Sequence, residues 1–173
     1  WLSSYKVGAV ELVKAALRPN FWRAPIDNDY GNNMPSRLKV WKDADKTARL
    51  IRQEVRQLDP GTVEVKAIHD IVAVKGTWTA TYTVHADGRI EVDNQFTVFN
   101  RSLPEIPRIG MVWQLGKDYT NMEYFGRGPW ENYSDRNTSA LISHYAGDVT
   151  QQEFLYVRPQ ENNYHTDIRW FAL

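Results

Sequence analysis

The feature that most constrains this chain is a pair of alternating segments joined by a glycine turn. Residues 77–86 place Trp78 and further apolar side chains on one face with threonines between them, and residues 89–99 resume the alternation. Asp87-Gly88 supplies the turn, because glycine accepts positive φ at little cost. A slip of one residue would turn the aromatic side chains to the other face, so the pattern predicts a β-hairpin of defined register. Asn94 interrupts the apolar face, which predicts a polar contact or a bulge there.

Most of the first half shows the same preference for strands. Residues 62–69 alternate. Residues 48–58 combine helical spacing with β-branched residues, and the Pro60-Gly61 turn that follows favours a strand. One short helix is predicted near 34–46, because Pro35 suits a first turn and apolar residues recur three and four positions apart.

The second half is more irregular in pattern. It predicts short strands at 108–115, 121–125 and 166–172. The glycine-rich residues 126–129 predict irregular backbone, and residues 131–163 are mostly loop-like. Many short strands with little helix predict a mainly β fold, specifically a large antiparallel β-sandwich.

Composition excludes several classes of function. The 173 residues carry 21 basic and 21 acidic side chains. Such a balanced chain lacks the charge needed for non-specific binding to nucleic acid or an anionic membrane, so neither partner is expected. Without cysteine there is no disulfide scaffold, thiolate metal site or cysteine nucleophile. No apolar run approaches the roughly 18 residues of a membrane span.

Aromatic residues make up 13% of the chain, including seven tryptophans and nine tyrosines. Trp and Tyr combine a flat apolar face with one polar atom, which suits interfaces and sugar binding. Aromatic residues are also favoured in strands, so a β-rich core explains them equally well. Composition alone does not decide between a binding surface and a β-rich core.

Polar residues concentrate in three segments, at 20–31, 126–136 and 158–169, each of which mixes arginine with carboxylates, amides and aromatics. The plainest interpretation is that these groups hold long loops by satisfying backbone polar atoms. The candidate substrate-proximal or loop-network residues are Arg23, Asp27, Asn28, Asp29, Arg127, Glu131, Asn132, Asp135, Arg136, Glu161 and Asn162. The three arginines of this set are expected to pair with its carboxylates.

Three other chemistries stay open on the residues alone. A glycosidase needs two carboxylates beside the scissile bond, an epimerase would pair histidine with a carboxylate, and a hard cation prefers oxygen ligands. The glycosidase carboxylates could come from Glu131, Asp135 and Glu161. An epimerase could use His144 or His165 with Glu161. A cation could be bound by Asp27, Asn28 and Asp29.

Three long and unusual stretches carry a resemblance: residues 18–31 (RPNFWRAPIDNDYG), 124–136 (YFGRGPWENYSDR) and 157–170 (VRPQENNYHTDIRW). They resemble, in the same order, motifs in the C-terminal domain of the large β-galactosidases of glycoside hydrolase family 2, a domain also seen as a separate small chain. The resemblance covers nearly the whole chain.

This resemblance implies a β-sandwich of the galactose-mutarotase type, belonging to an enzyme that hydrolyses terminal β-D-galactosides such as lactose with retention. It places the nucleophile, the acid/base glutamate and the Mg²⁺ ligands in a TIM-barrel domain. No catalytic residue, metal or cofactor is therefore assigned to this chain, which is expected to be inactive alone and to shape the active site. Its implied partners are the remaining domains and the galactoside, and the compartment could be cytoplasm or periplasm.

In the family this domain continues beyond Arg169-Trp170, so residues 1–173 are expected to be the N-terminal and central part of one incomplete domain. A sandwich lacking strands would expose an edge and an apolar face, which pairing with another copy, as a homo-oligomer, would cover. Two alternative functions stay open: a non-catalytic carbohydrate-binding module, and an aldose mutarotase or epimerase.

Overall fold

The computed structural model describes residues 1–173, which form two compact units. The first unit contains residues 1–23 and 33–114, and the second contains residues 24–32 and 115–173. The chain has eleven strands, all paired antiparallel, and two short α-helices, which confirms the mainly β prediction and is consistent with a sandwich. The galactose-mutarotase-like type and the single-domain organisation stay predictions.

Eight strands belong to the first unit: β1 (Lys6–Val7), β2 (Val10–Glu11), β3 (Ala15–Asn20), β4 (Ala48–Asp59), β5 (Thr62–Ile71), β6 (Gly76–His85), β7 (Ile90–Val98) and β8 (Gly110–Gln114). Strands β4 to β7 form a four-stranded meander, β3 pairs with β8, and β1 pairs with β2. The predicted hairpin is confirmed as β6 and β7, with Trp78 opposite Phe96 and Gly88 in the turn at φ +88°.

The core of the first unit forms on the apolar face of this meander. Trp78, Ala80 and Tyr82 are buried on β6, and the ring of Phe21 lies 5.8 Å from that of Trp78. Asn94 makes the predicted polar contact, since its Oδ1 accepts a hydrogen bond from Trp78 Nε1 at 3.1 Å. A polar side chain is therefore tolerated there because it pairs with the one polar atom of the neighbouring indole.

The helix predicted near 34–46 is found, but it is interrupted. Helix α2 (Met34–Arg37) ends at Leu38, where ψ is 10°, and two 3₁₀ turns follow at Lys39–Trp41 and Ala44–Thr47. The buried residues Met34, Leu38, Trp41 and Ala44 produce the apolar spacing. That spacing predicts which residues face the core, but it does not ensure a continuous α-helix. A second helix, α1 (Asp27–Gly31), was not predicted.

The second unit contains α1 and a three-stranded sheet. Its strands are β9 (Asn121–Gly128), β10 (Leu141–Asp148) and β11 (Trp170–Ala172), in the order β10-β9-β11. A 3₁₀ turn at Val149–Gln152 follows β10. No helix in the chain is both long enough and apolar enough to cross a membrane.

Two sequence expectations for the second unit are wrong. Residues Gly126 to Gly128 continue β9 rather than forming irregular backbone, and β10 lies inside the predicted loop region. The glycines are required by close packing, because a Cβ on Gly126 would lie 2.5 Å from Ile168 Cδ1. A Cβ on Gly128 would overlap Tyr124 Oη and lie 2.9 Å from Tyr145 Cδ2. Glycine here marks a strand whose neighbours approach closely.

His69 on β5 is a buried histidine, 3% exposed, whose ring stacks on Trp1 at a centroid distance of 3.8 Å. Its Nδ1 atom has no hydrogen-bond partner. Burial lowers the pKa of His69 from 6.5 to about 4, because the imidazolium form loses its hydration. The neutral form is therefore the stable one at neutral pH.

This burial predicts an acid-sensitive first unit. Because the folded-state pKa of His69 lies below its ordinary value of 6.5, the unfolded chain binds more protons between pH 6.5 and about 4. The free energy of unfolding should fall as the pH drops through that window. Urea unfolding at several pH values should show a shallower slope for His69→Asn. Gln53→Asn, which alters an exposed side chain that does not titrate, should keep the parent slope; equal slopes for all three proteins would contradict the prediction.

Candidate functional site

The loops of the second unit are organised around the side chain of Asn132, which is fully buried. Its Nδ2 donates to the carbonyls of Arg127 and Trp130, both at 3.1 Å. Its Oδ1 accepts from the backbone N–H of Thr166 at 3.0 Å and from Thr166 Oγ1 at 2.7 Å. The Asn132 backbone N–H donates to the Tyr164 carbonyl at 2.7 Å. One amide thereby joins the end of β9 to the segment that precedes β11.

Arg127 extends this connection from the end of β9. Its Nε donates to Asp167 Oδ2 at 2.5 Å, and its Nη1 donates to the carbonyls of Ala140 at 2.8 Å and Asn137 at 3.3 Å. The sequence analysis predicts a partner for Arg127 among the candidate carboxylates, and Asp167 is not one of them, so this pairing corrects that hypothesis. A planar guanidinium can satisfy a carboxylate and two carbonyls together because its donors point in fixed directions.

Glu131 lies beside Asn132 and has a side chain only 4% exposed. Arg136 Nη2 donates to its Oε1 at 3.0 Å, and the Tyr156 hydroxyl donates to the same oxygen. Burial and this hydrogen bond raise the pKa of Tyr156, so the phenol keeps its proton. Arg136 also lies 3.5 Å from the exposed carboxylate of Asp135. The Glu131 carboxylate is thus bound from two different loops.

Carboxylates also hold the segment around α1, through hydrogen bonds from backbone N–H groups and one ion pair. Asp29 Oδ2 accepts from the N–H of Ile26 at 2.9 Å, which satisfies a free donor at the start of the helix. Asp27 Oδ1 pairs with Arg158 Nη1 at 3.0 Å, and Glu161 Oε2 accepts from the N–H of Ala24 at 2.8 Å. These contacts join the first motif to the third, across more than 130 positions of sequence.

Asn162 has a local role. Its Oδ1 accepts from the Phe154 N–H at 3.2 Å, and its Nδ2 donates to the Phe154 carbonyl at 2.5 Å. This double contact resembles the pairing that a neighbouring strand would give. The side chain of Asn162 therefore holds the segment 154–157 in place.

The structure brings together, within the second unit, the candidates Asp27, Asp29, Arg127, Glu131, Asn132, Asp135, Arg136, Glu161 and Asn162. Asn28 is exposed on α1, and Arg23 lies in the first unit, where its predicted pairing stays a prediction. Sequence reasoning missed Tyr156, Arg158, Thr166 and Asp167 as participants. Three of these four lie in the third polar segment, where the mixture of charges and the family resemblance of residues 157–170 were the signals available for them.

His165 and Tyr124 complete the polar interior of the second unit. His165 Nδ1 lies 3.2 Å from the Arg127 carbonyl and its Nε2 lies 3.2 Å from Gln152 Oε1. Burial lowers the pKa of His165, which favours the neutral ring at neutral pH. Burial likewise raises the pKa of Tyr124, whose hydroxyl lies 3.3 Å from His165 Nδ1.

The chain holds no group of three or more His, Asp or Glu side chains able to bind a metal ion. What the arrangement does chemically is to satisfy buried backbone and charged groups in loops that lack a strand partner.

Comparison with known proteins agrees with the sequence motifs. The family model described as the beta galactosidase small chain matches residues 1–173. The chain is 34% identical to a beta-galactosidase of Priestia megaterium over 98% of its length, and 35% identical to one of Lactobacillus delbrueckii subsp. bulgaricus over its whole length. A beta-galactosidase of Halalkalibacterium halodurans is 32% identical over 97% of the chain.

The chain belongs to the β-galactosidase small-chain family. It spans only 16 to 17% of the length of these relatives. The match thus corresponds to a small part of a much larger protein.

Asn132 provides a direct test of the loop network. Asn132→Ala leaves the Thr166 N–H and the Trp130 carbonyl without their partner and removes one of the two contacts of the Arg127 carbonyl. A buried group left unpaired costs about 1–3 kcal/mol. We expect a large fall in the free energy of unfolding, measured by urea denaturation of the chain. Asn28→Ala, at an exposed position, is the matched control and should change stability little. Equal stability of the two variants would show that Asn132 does not organise these loops.

Proposed function

We propose that this chain is the small-chain part of a β-galactosidase that hydrolyses terminal β-D-galactosides with retention. In this proposal the chain shapes and supports the active site and supplies no reacting group. Support comes from the relatives, which are named beta-galactosidases, and from the share of their length that the chain spans, 16 to 17%. The reacting carboxylates and the Mg²⁺ ligands would lie in the remaining polypeptide, within a TIM barrel.

The observation that carries the supporting role is that the carboxylates of the three motifs are bound by the chain itself. Glu131 accepts from Arg136 and a tyrosine, Asp29 accepts from the start of α1, and Glu161 accepts from the Ala24 N–H. A retaining glycosidase needs two carboxylates about 5–5.5 Å apart that face the sugar. Carboxylates committed to loop contacts are better suited to holding shape.

A supporting role is chemically valuable because catalysis depends on position. Reacting groups must be held in a near-attack arrangement, and a displacement of about 1 Å can reduce the rate about a hundredfold. Loops joined by buried amides and charged pairs resist such displacement more than loops held by single exposed contacts. Assembly of the whole protein into a homo-oligomer stays a prediction.

Arg127→Ala in the full-length protein tests this proposal. The substitution removes the partner of Asp167 and two carbonyl contacts, so we expect a loss of roughly 2 kcal/mol of stability and a lower melting temperature. At temperatures where the variant is folded, kcat for a galactoside should also fall, because the loops that Arg127 joins would hold the active site in place less well. Arg49→Ala, which removes an exposed arginine from β4, is the control. An unchanged melting temperature with lost activity would instead indicate direct contact with substrate.

Calorimetry of the 173-residue chain with galactose separates this proposal from a carbohydrate-binding module. We expect no measurable heat of binding, because association carries an entropy cost that a surface with few contacts does not offset. Binding tighter than about 1 mM, which corresponds to about −4.1 kcal/mol, would favour the binding module.

A further inference from the structure

An unusual apolar turn lies in the second unit, at residues 154–157, where the third motif begins. The N–H of Tyr156 donates to the carbonyl of Phe154 at 3.0 Å, which closes a three-residue turn with Leu155 at its tip. Leu155 is 85% exposed and Val157 is fully exposed. Single exposed aliphatic residues are common on protein surfaces. Two of them on one turn need a further explanation.

Hydrogen bonds and a ring contact hold the residues on either side of Leu155 in place. Asn162 hydrogen-bonds both backbone groups of Phe154, at 3.2 and 2.5 Å. The rings of Phe154 and Tyr156 lie 4.8 Å apart, and the Tyr156 hydroxyl donates to the buried carboxylate of Glu131. The residues that flank Leu155 are therefore fixed by side-chain contacts, while Leu155 itself contributes to none of these hydrogen bonds.

Charge at the edge of the apolar turn is already neutralised. Arg158, the next residue after Val157, pairs with Asp27 at 3.0 Å. An apolar centre with a paired polar residue at its margin is the usual arrangement of a protein interface. Because the turn is preorganised, its association with a partner would lose little conformational freedom.

We propose that the apolar turn inserts Leu155 and Val157 into an apolar recess on the part of the β-galactosidase that lies outside residues 1–173. This inference rests on the proposed function. The length of the relatives indicates which surface the turn contacts. The chain spans 16 to 17% of their length, so the rest of such a protein offers far more surface than a second copy of this segment. The turn would then be a docking contact that keeps the small-chain part in register with the catalytic part.

Hydrogen exchange of the full-length protein, followed by mass spectrometry, tests the contact. Neither the Leu155 nor the Val157 amide makes a hydrogen bond within the chain, whereas the Phe154 and Tyr156 amides do. In an undocked turn the Leu155 and Val157 amides should therefore exchange at the rate of an unstructured peptide. We expect the Leu155 and Val157 amides, resolved from overlapping peptides, to exchange at least tenfold more slowly than that rate in the parent protein. Leu155→Asp should remove that protection, whereas Leu155→Met should keep it.

Gln151→Asp is the matched control, because it adds the same charge at a nearby exposed polar position and should keep the protection. Unchanged exchange in the peptide that covers β9, which lies in the same unit as both substitutions, would show that each variant is folded. Exchange at the free rate in the parent protein, or equal protection in Leu155→Asp, would overturn the proposal. Protection that disappears on dilution would also overturn it, since that result indicates a second copy as the occupant.

Failure of the docking contact and failure of the proposed function give different results. If the parent protein fails to hydrolyse galactosides, the proposed function is wrong, while the exchange measurement still shows whether the turn is covered by the remaining polypeptide. If hydrolysis occurs and the turn exchanges freely, only the docking contact is wrong.

Discussion

The second unit depends on one physical constraint: buried backbone groups in loops must find partners when no strand lies beside them. Asn132 meets this constraint with a fully buried amide that both donates and accepts. Its hydrogen bonds hold the end of β9 against the segment before β11. Arg127 and Glu131, its neighbours in space and in sequence, then anchor the surrounding loops through charged hydrogen bonds. Removal of the amide would leave several buried groups unpaired together.

These contacts give the acids and arginines of the three motifs a structural role within the chain. Carboxylates such as Glu131 and Asp27 stabilise loops because arginine side chains neutralise them. Groups committed in this way hold a surface in one shape, which is the quality that a neighbouring active site needs. Asn162 holds the Phe154 backbone of the apolar turn, which is the surface that we propose contacts the rest of the protein.

The reliability of sequence reasoning differed between the two units for a physical reason. Strands β5, β6 and β7 follow a period of two, and this local pattern predicted their faces and a polar contact or a bulge at Asn94, whose partner in the structure is Trp78. Strand β10 lacks such a pattern, since most of its residues are exposed on both faces. Gly126 and Gly128 indicated irregular backbone by local rules, yet they are strand residues because Ile168 and aromatic rings pack directly against them.

The amino-acid order was enough to establish the strand-rich architecture of the meander, the turn at Gly88 and the three motifs that indicate the family. The pairing of charges, in contrast, was settled by the folded chain. Arg127 pairs with Asp167, and Asp27 pairs with Arg158, a partner 131 positions away. Periodicity acts over neighbouring residues, and so it can be seen in a sequence. The choice among several equivalent acids depends instead on where distant loops come to lie, which no local pattern records.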